Sequence, residues 1–192
     1  MAIVINGSGT VTGISFGGLP DGIVDAGTLA TDSVDSAELI DGAIDAAHLA
    51  SGVGGKLLQV VSANYATEWS STTDTYADTG LTATITPSAT SSKILVLCNQ
   101  NGCGKSANNA SLRLHLYRDV TKLADFGEDL GYTNTAENWN MVGSASISYL
   151  DSPSSTSALV YKTQGNNNTA TGSVRVQNSE TTSTLTLIEI GA

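Results

Sequence analysis

The sequence predicts an all-β protein: a jelly-roll-like β-sandwich head, preceded by an N-terminal β anchor and a short three-repeat stem, assembled as a trimer. Three observations carry this. Residues 56–192 contain about eight short apolar or β-branched runs separated by turn-formers, the pattern of a sandwich or jelly roll. Residues 21–50 hold three copies of a decapeptide. Charged residues make up only 14% of the chain, against a usual ~25%, with Thr, Ser, Asn and Gly in their place.

In the head, the strand candidates are Leu57–Ser62, Leu81–Thr86, Lys93–Cys98, Ser111–Arg118, Ser144–Leu150, Ala158–Thr163, Ser173–Gln177 and Thr184–Ile190. Ser111–Arg118 alternates cleanly, with Leu112, Leu114 and Leu116 on one face and Arg113, His115 and Tyr117 on the other. Ala145, Ile147 and Tyr149 share a face, as do Val174 and Val176. Ile94–Cys98 is apolar on both faces, as expected of a central strand buried on both sides. Thr184–Ile190 changes phase at Leu187-Ile188, which predicts a bulge or two-sided burial.

The stem reads DGIVDAGTLA (21–30), TDSVDSAELI (31–40), DGAIDAAHLA (41–50). Fixed repeats of this kind signal a stacked architecture. Leu19, Val24, Leu29, Val34, Leu39, Ile44 and Leu49 recur every five residues. Five matches neither the helical 3.6 nor the strand 2.0. Each unit is therefore read as a short extended piece followed by one helical turn, with Asp25, Asp35 or Asp45 as N-cap. Asp35 and Glu38 have capping-box spacing. So few apolar side chains cannot offset ordering costs of ~1–2 kcal/mol per residue. Three chains turning their Val/Leu rows towards a common axis can. The competing reading is a disordered acidic linker.

Residues 1–20 hold β-branched runs around the turn signals Asn6-Gly7 and Ser8-Gly9, and form the anchor. A flexible Ser51–Gly55 hinge joins the stem to the head. Net charge is −10. Residues 1–55 carry seven acids and no Lys or Arg, and the remaining 11 acids and 8 bases leave −3. Such a surface repels phosphate backbones, so no nucleic-acid binding is expected. Neither a signal-peptide pattern nor a membrane-length apolar stretch is present, so no membrane insertion is expected. Cys98 and Cys103 are the only cysteines. Cys98, in an apolar run, reads as a small buried hydrophobe, with a Cys98–Cys103 disulfide as the alternative.

Chemistry-bearing motifs are sparse. Gly102-Cys103-Gly104-Lys105-Ser106 resembles the end of a phosphate-binding loop, but Asn99 stands where the first Gly belongs, and a strand follows in place of a helix. His48 and His115 are the only histidines, and they come with no nucleophile elbow or HExxH motif. No catalytic residue, cofactor or metal is expected. An Asp ring around a stem axis is a possible Ca²⁺ site, but solvated N-caps explain the same residues. Tyr132 and Trp139 lie in amide-rich loops and are candidates for surface recognition, with packing as the alternative. Arg113, His115 and Tyr117 either meet solvent or line a subunit contact.

The opening MAIVINGSGTVTGISFGGLPDG and the G-x-V-D-x-x-x-L repeats resemble virion proteins of marine and cyanobacterial bacteriophages, of tail-fibre or fibre-like type. The runs SSKILVLCNQNG, ISYLDSP and STLTLIEIGA resemble the β heads of such fibres and of head-decoration (cement) proteins. The resemblance implies a non-enzymatic homotrimer on the phage surface, attached to capsid or tail through its N-terminal region. A stem of three repeats is short for a tail fibre and suits a knob held close to the particle. A carbohydrate-binding module that recognises a host-surface glycan is the alternative.

Overall fold

The structure, a computed structural model, describes residues 56–132 and 140–191. The anchor, the stem and its Val/Leu row lie outside these residues.

Among the described residues, ten strands follow one another. They are β1 (Leu57–Tyr65), β2 (Trp69–Ser71), β3 (Ala77–Ile85), β4 (Lys93–Lys105), β5 (Leu112–Arg118), β6 (Thr121–Leu130), β7 (Asn140–Asp151), β8 (Leu159–Asn167), β9 (Val174–Val176) and β10 (Ser183–Ile190). All eight sequence-predicted strands form. The two that the sequence did not show are β2 and β6.

Pairing is antiparallel and nested. β1 pairs with β10, β3 with β8, β4 with β7 and β5 with β6. This is the pairing of one long ribbon folded back on itself. Wrapping the ribbon sets β10 against β4 and β8 against β5. Two sheets result, a six-stranded one in which β9 and β2 extend β1-β10-β4-β7, and the four-stranded β3-β8-β5-β6, the double-sheet arrangement of a jelly roll. Gly104 of β4 pairs with β7 on one side and with Arg175 of β9 on the other. β9 and β10 therefore occupy successive stretches of one edge of β4, interrupted by a 3₁₀ turn at Asn178–Glu180.

Strand alternation builds the core. Leu112, Leu114 and Leu116 of β5 and Leu185 and Leu187 of β10 are fully buried. The apolar core forms two clusters. Along β4, Gln100 falls between Cys98 of one and Cys103 of the other. Here a polar band links the sheets: the Thr163 hydroxyl donates to Gln100 Oε1 at 2.8 Å, and Gln100 Nε2 donates to Ser183 Oγ at 3.3 Å. Buried polar groups satisfied in this way fix the facing of the sheets as well as their attraction.

Two expectations need correction. β4 is central but not buried on both faces: Ile94, Val96 and Cys98 face the core, whereas Leu97 is 38% exposed. A two-layer sandwich covers only the inner face of each sheet. β10 has neither a bulge nor two-sided burial. Its register with β4 is continuous and its burial alternates strictly. The change of phase arises because Glu189, not an apolar residue, points inward and is fully buried. The bulge is in the partner strand, where Leu58 is the extra residue between the paired Leu57 and Gln59.

Candidate functional site

The outer face of the β3-β8-β5-β6 sheet gathers most of the head's paired charges. β5 presents Arg113, His115 and Tyr117 outward because Leu112, Leu114 and Leu116 take the core side. β6 lies alongside and supplies acids. Arg113 Nε is 3.0 Å from Glu128 and 3.2 Å from Asp129. His115 Nε2 is 2.7 Å from Asp125 Oδ1, and Lys122 reaches the same carboxylate at 3.0 Å. Tyr76 stacks on the His115 ring at 3.8 Å between centroids.

His115 is thereby buried, although it stands on the polar side of its strand. Its pKa is pushed down chiefly by that burial, with Asp125 opposing. Asp129 is held below the usual carboxylate range, first by its hydrogen bond from Arg113. The side chains of Arg113 and His115 are thus engaged by their own chain's β6, where the sequence left solvent or a subunit contact open.

His115, Asp125 and Glu128 place potential ligand atoms within 4.8 Å of one another. Three features oppose a metal there. Lys122 neutralises Asp125, and Arg113 neutralises Glu128. His115 Nδ1 is buried without a hydrogen-bond partner, whereas a ligating imidazole normally donates from its second nitrogen. The same orphan nitrogen also means that no hydroxyl or thiol is hydrogen-bonded to the ring, as a nucleophile–base pair requires.

The other motifs resolve structurally. Gly102-Cys103-Gly104-Lys105 lies inside β4, so no helix N-terminus follows to receive a phosphate. Gly102 has φ +63°, and its missing side chain makes room for Thr181 and Asn178 of the β9–β10 connection. Cys98 and Cys103 are free and buried. Burial pushes their thiols up to about 12 and about 11, which suppresses the reactive thiolate. Glu189 is a fully buried acid. Burial alone would raise its pKa, but hydrogen bonds from the Ser88 hydroxyl and amide and from Gln59 hold it down to about 2.

Of the residues the sequence marked for recognition, Tyr132 is 55% exposed, next to the turn closed by its amide on Asp129 O. Trp139, like Leu19, Val24, Leu29, Val34, Leu39, Ile44 and Leu49, lies outside the described residues. The outer face of the β1-β10-β4-β7 sheet is of a different kind. It carries an open depression of about 750 Å³ lined by Leu97, Asn99, Ser146, Ser148 and Thr186, among others. The alternation of β4 could have disclosed it, had the outward set been read as exposed.

No protein-family model and no curated protein matches the chain. Among solved structures, the chain is similar to the VP2 protein of an infectious bursal disease virus subviral particle, with 13% identity and a TM-score of 0.42. The likeness covers 69% of this chain and 32% of that one, so the chain spans about a third of that protein's length.

Proposed function

We propose that this chain is a non-enzymatic structural protein of a bacteriophage particle: a trimeric short fibre or capsid decoration knob, held to the particle through its N-terminal region. The observation that carries the reading is the joining of two parts. One is a decapeptide repeat whose five-residue apolar spacing needs partner chains to bury it. The other is a jelly-roll head whose buried acids and amides are tied into cross-strand hydrogen bonds. The resemblance of the N-terminal motif and repeats to phage virion proteins points the same way.

Light scattering on the intact chain tests the assembly. The expected mass is three chains, and replacing Val34 and Leu39 by Asp shifts it towards one. A single-chain mass for the unsubstituted protein removes the argument from the stem. Electron microscopy of particles bearing a labelled chain separates the two placements: label over the capsid means decoration, label on the tail means fibre.

One observation favours the glycan-binding alternative. Tyr132 stands exposed, the sequence that follows it carries Asn134 and Asn138, and an aromatic face with amide neighbours suits a sugar ring. Under this reading, glycan binding weakens on Tyr132→Ala or Trp139→Ala.

A further inference from the structure

We infer that the heads of the trimer touch one another through the outer face of the β1-β10-β4-β7 sheet, around an apolar row formed by Val60, Ile188, Leu95 and Leu150. The inference rests on the trimeric reading and adds to it a contact surface in the head.

The row follows from the register. Val60 pairs with Ile188, Ile188 with Leu95, and Leu95 with Leu150. At a strand spacing of ~4.8 Å, four adjacent side chains make an apolar band roughly 15 Å wide. Val60 is 56% exposed and Leu150 51%. Leu57, Leu58 and Leu97 extend the band, so five of the seven exposed large hydrophobics among the described residues lie here. Gathered on one face, they mark an interaction surface, whereas scattered ones would need no explanation.

The two outer faces differ in charge. The β3-β8-β5-β6 sheet turns the ion pairs Asp78–Lys162, Arg113–Glu128 and Lys122–Asp125 to solvent. Across the other sheet, the outward positions beyond the apolar row are Ser, Thr and Asn, such as Ser62, Thr186 and Ser148. Its charges stand at the margins: Lys93 at the end of β4 opposite Ile190, and Arg175 of β9, paired with Glu68 at 3.2 Å. Depletion of charge around an apolar centre is the composition of an interface core.

The place where the chain enters the head identifies the occupant. Gly191 N donates to Lys56 O at 2.7 Å, and Leu57 pairs with Ile190. The 55 residues that precede Lys56 are therefore joined to the head at a corner of this same band. Copies held together through those residues are tethered beside their apolar bands. Bands turned towards a threefold axis converge there with the same bands of the other two copies. The occupant is a further copy of this chain.

The test uses the full chain with Val60→Cys, a short bismaleimide cross-linker and denaturing electrophoresis. Cys98 and Cys103 are buried and do not compete. Thr84→Cys, exposed on β3 in the other sheet, is the control. The expected result is a three-chain mass by light scattering for both variants, with V60C linking chains on the denaturing gel and T84C leaving them separate. A three-chain mass without V60C linkage, or equal linkage in both, overturns the head contact and leaves the trimeric reading standing. A single-chain mass overturns both. As a second measure, Leu150→Lys raises the concentration at which the trimer half-dissociates about tenfold or more, and an unchanged value overturns the contact.

Discussion

Arg118 Nη1 lies 2.8 and 2.6 Å from the two carboxylate oxygens of Asp151, tying β5 of one sheet to β7 of the other. The Tyr161 hydroxyl donates to the same carboxylate at 2.6 Å. Asp151 is buried, so these partners stand where water would otherwise bond its oxygens. The jelly roll is thus closed here by a polar staple, where an apolar contact alone would leave the sheets free to slide.

Removing the centre of that staple strands a cation. Asp151→Ala is expected to lower unfolding free energy by about 3 kcal/mol. Tyr161→Phe, which removes one bond and leaves the ion pair, is expected to lower it by about 1 kcal/mol. Urea denaturation of both variants checks the order, and equal losses would contradict the staple.

Glu189 makes stability depend on acid. Its pKa is about 2 in the fold against an ordinary 4.5. As pH falls, the unfolded chain takes up this proton first. The stabilisation is complete above about 4.5 and is lost as the pH approaches 2. Glu189→Gln should therefore lower stability at neutral pH and flatten the acid limb of the stability profile. Thermal melts between pH 7 and pH 2 (about the range over which carboxylates titrate) read this directly.

Gly102→Ala is expected to destabilise by more than about 1 kcal/mol. The backbone there is left-handed, and a Cβ would run into the Thr181 hydroxyl and the Asn178 backbone. A melting temperature equal to that of the unsubstituted chain would show that the β9–β10 connection can move aside.

Leu114→Ala and Val120→Ala separate core from surface. Leu114 is fully buried, whereas Val120 is 91% exposed in the β5–β6 turn. The first should cost about 2–5 kcal/mol and the second within about 0.5 kcal/mol. Chemical denaturation of the pair measures the contrast.

The sequence by itself determined the fold class and where eight of the strands lie, because a two-residue period is written locally. Leu112, Leu114 and Leu116 announce a buried face whatever they pack against. It did not disclose β6: TKLADFGEDL lacks alternation, and its pairing with β5 shifts register three times. Tertiary structure makes it a strand by offering β5's open edge. Pairing order was also hidden, since Val60 meets Ile188 far along the chain and no local pattern records that. Burial of His115 under Tyr76 and of Glu189 under Ser88 and Gln59 was decided the same way. A polar side chain is buried only when distant partners satisfy it, and those partners meet only once the ribbon has wrapped.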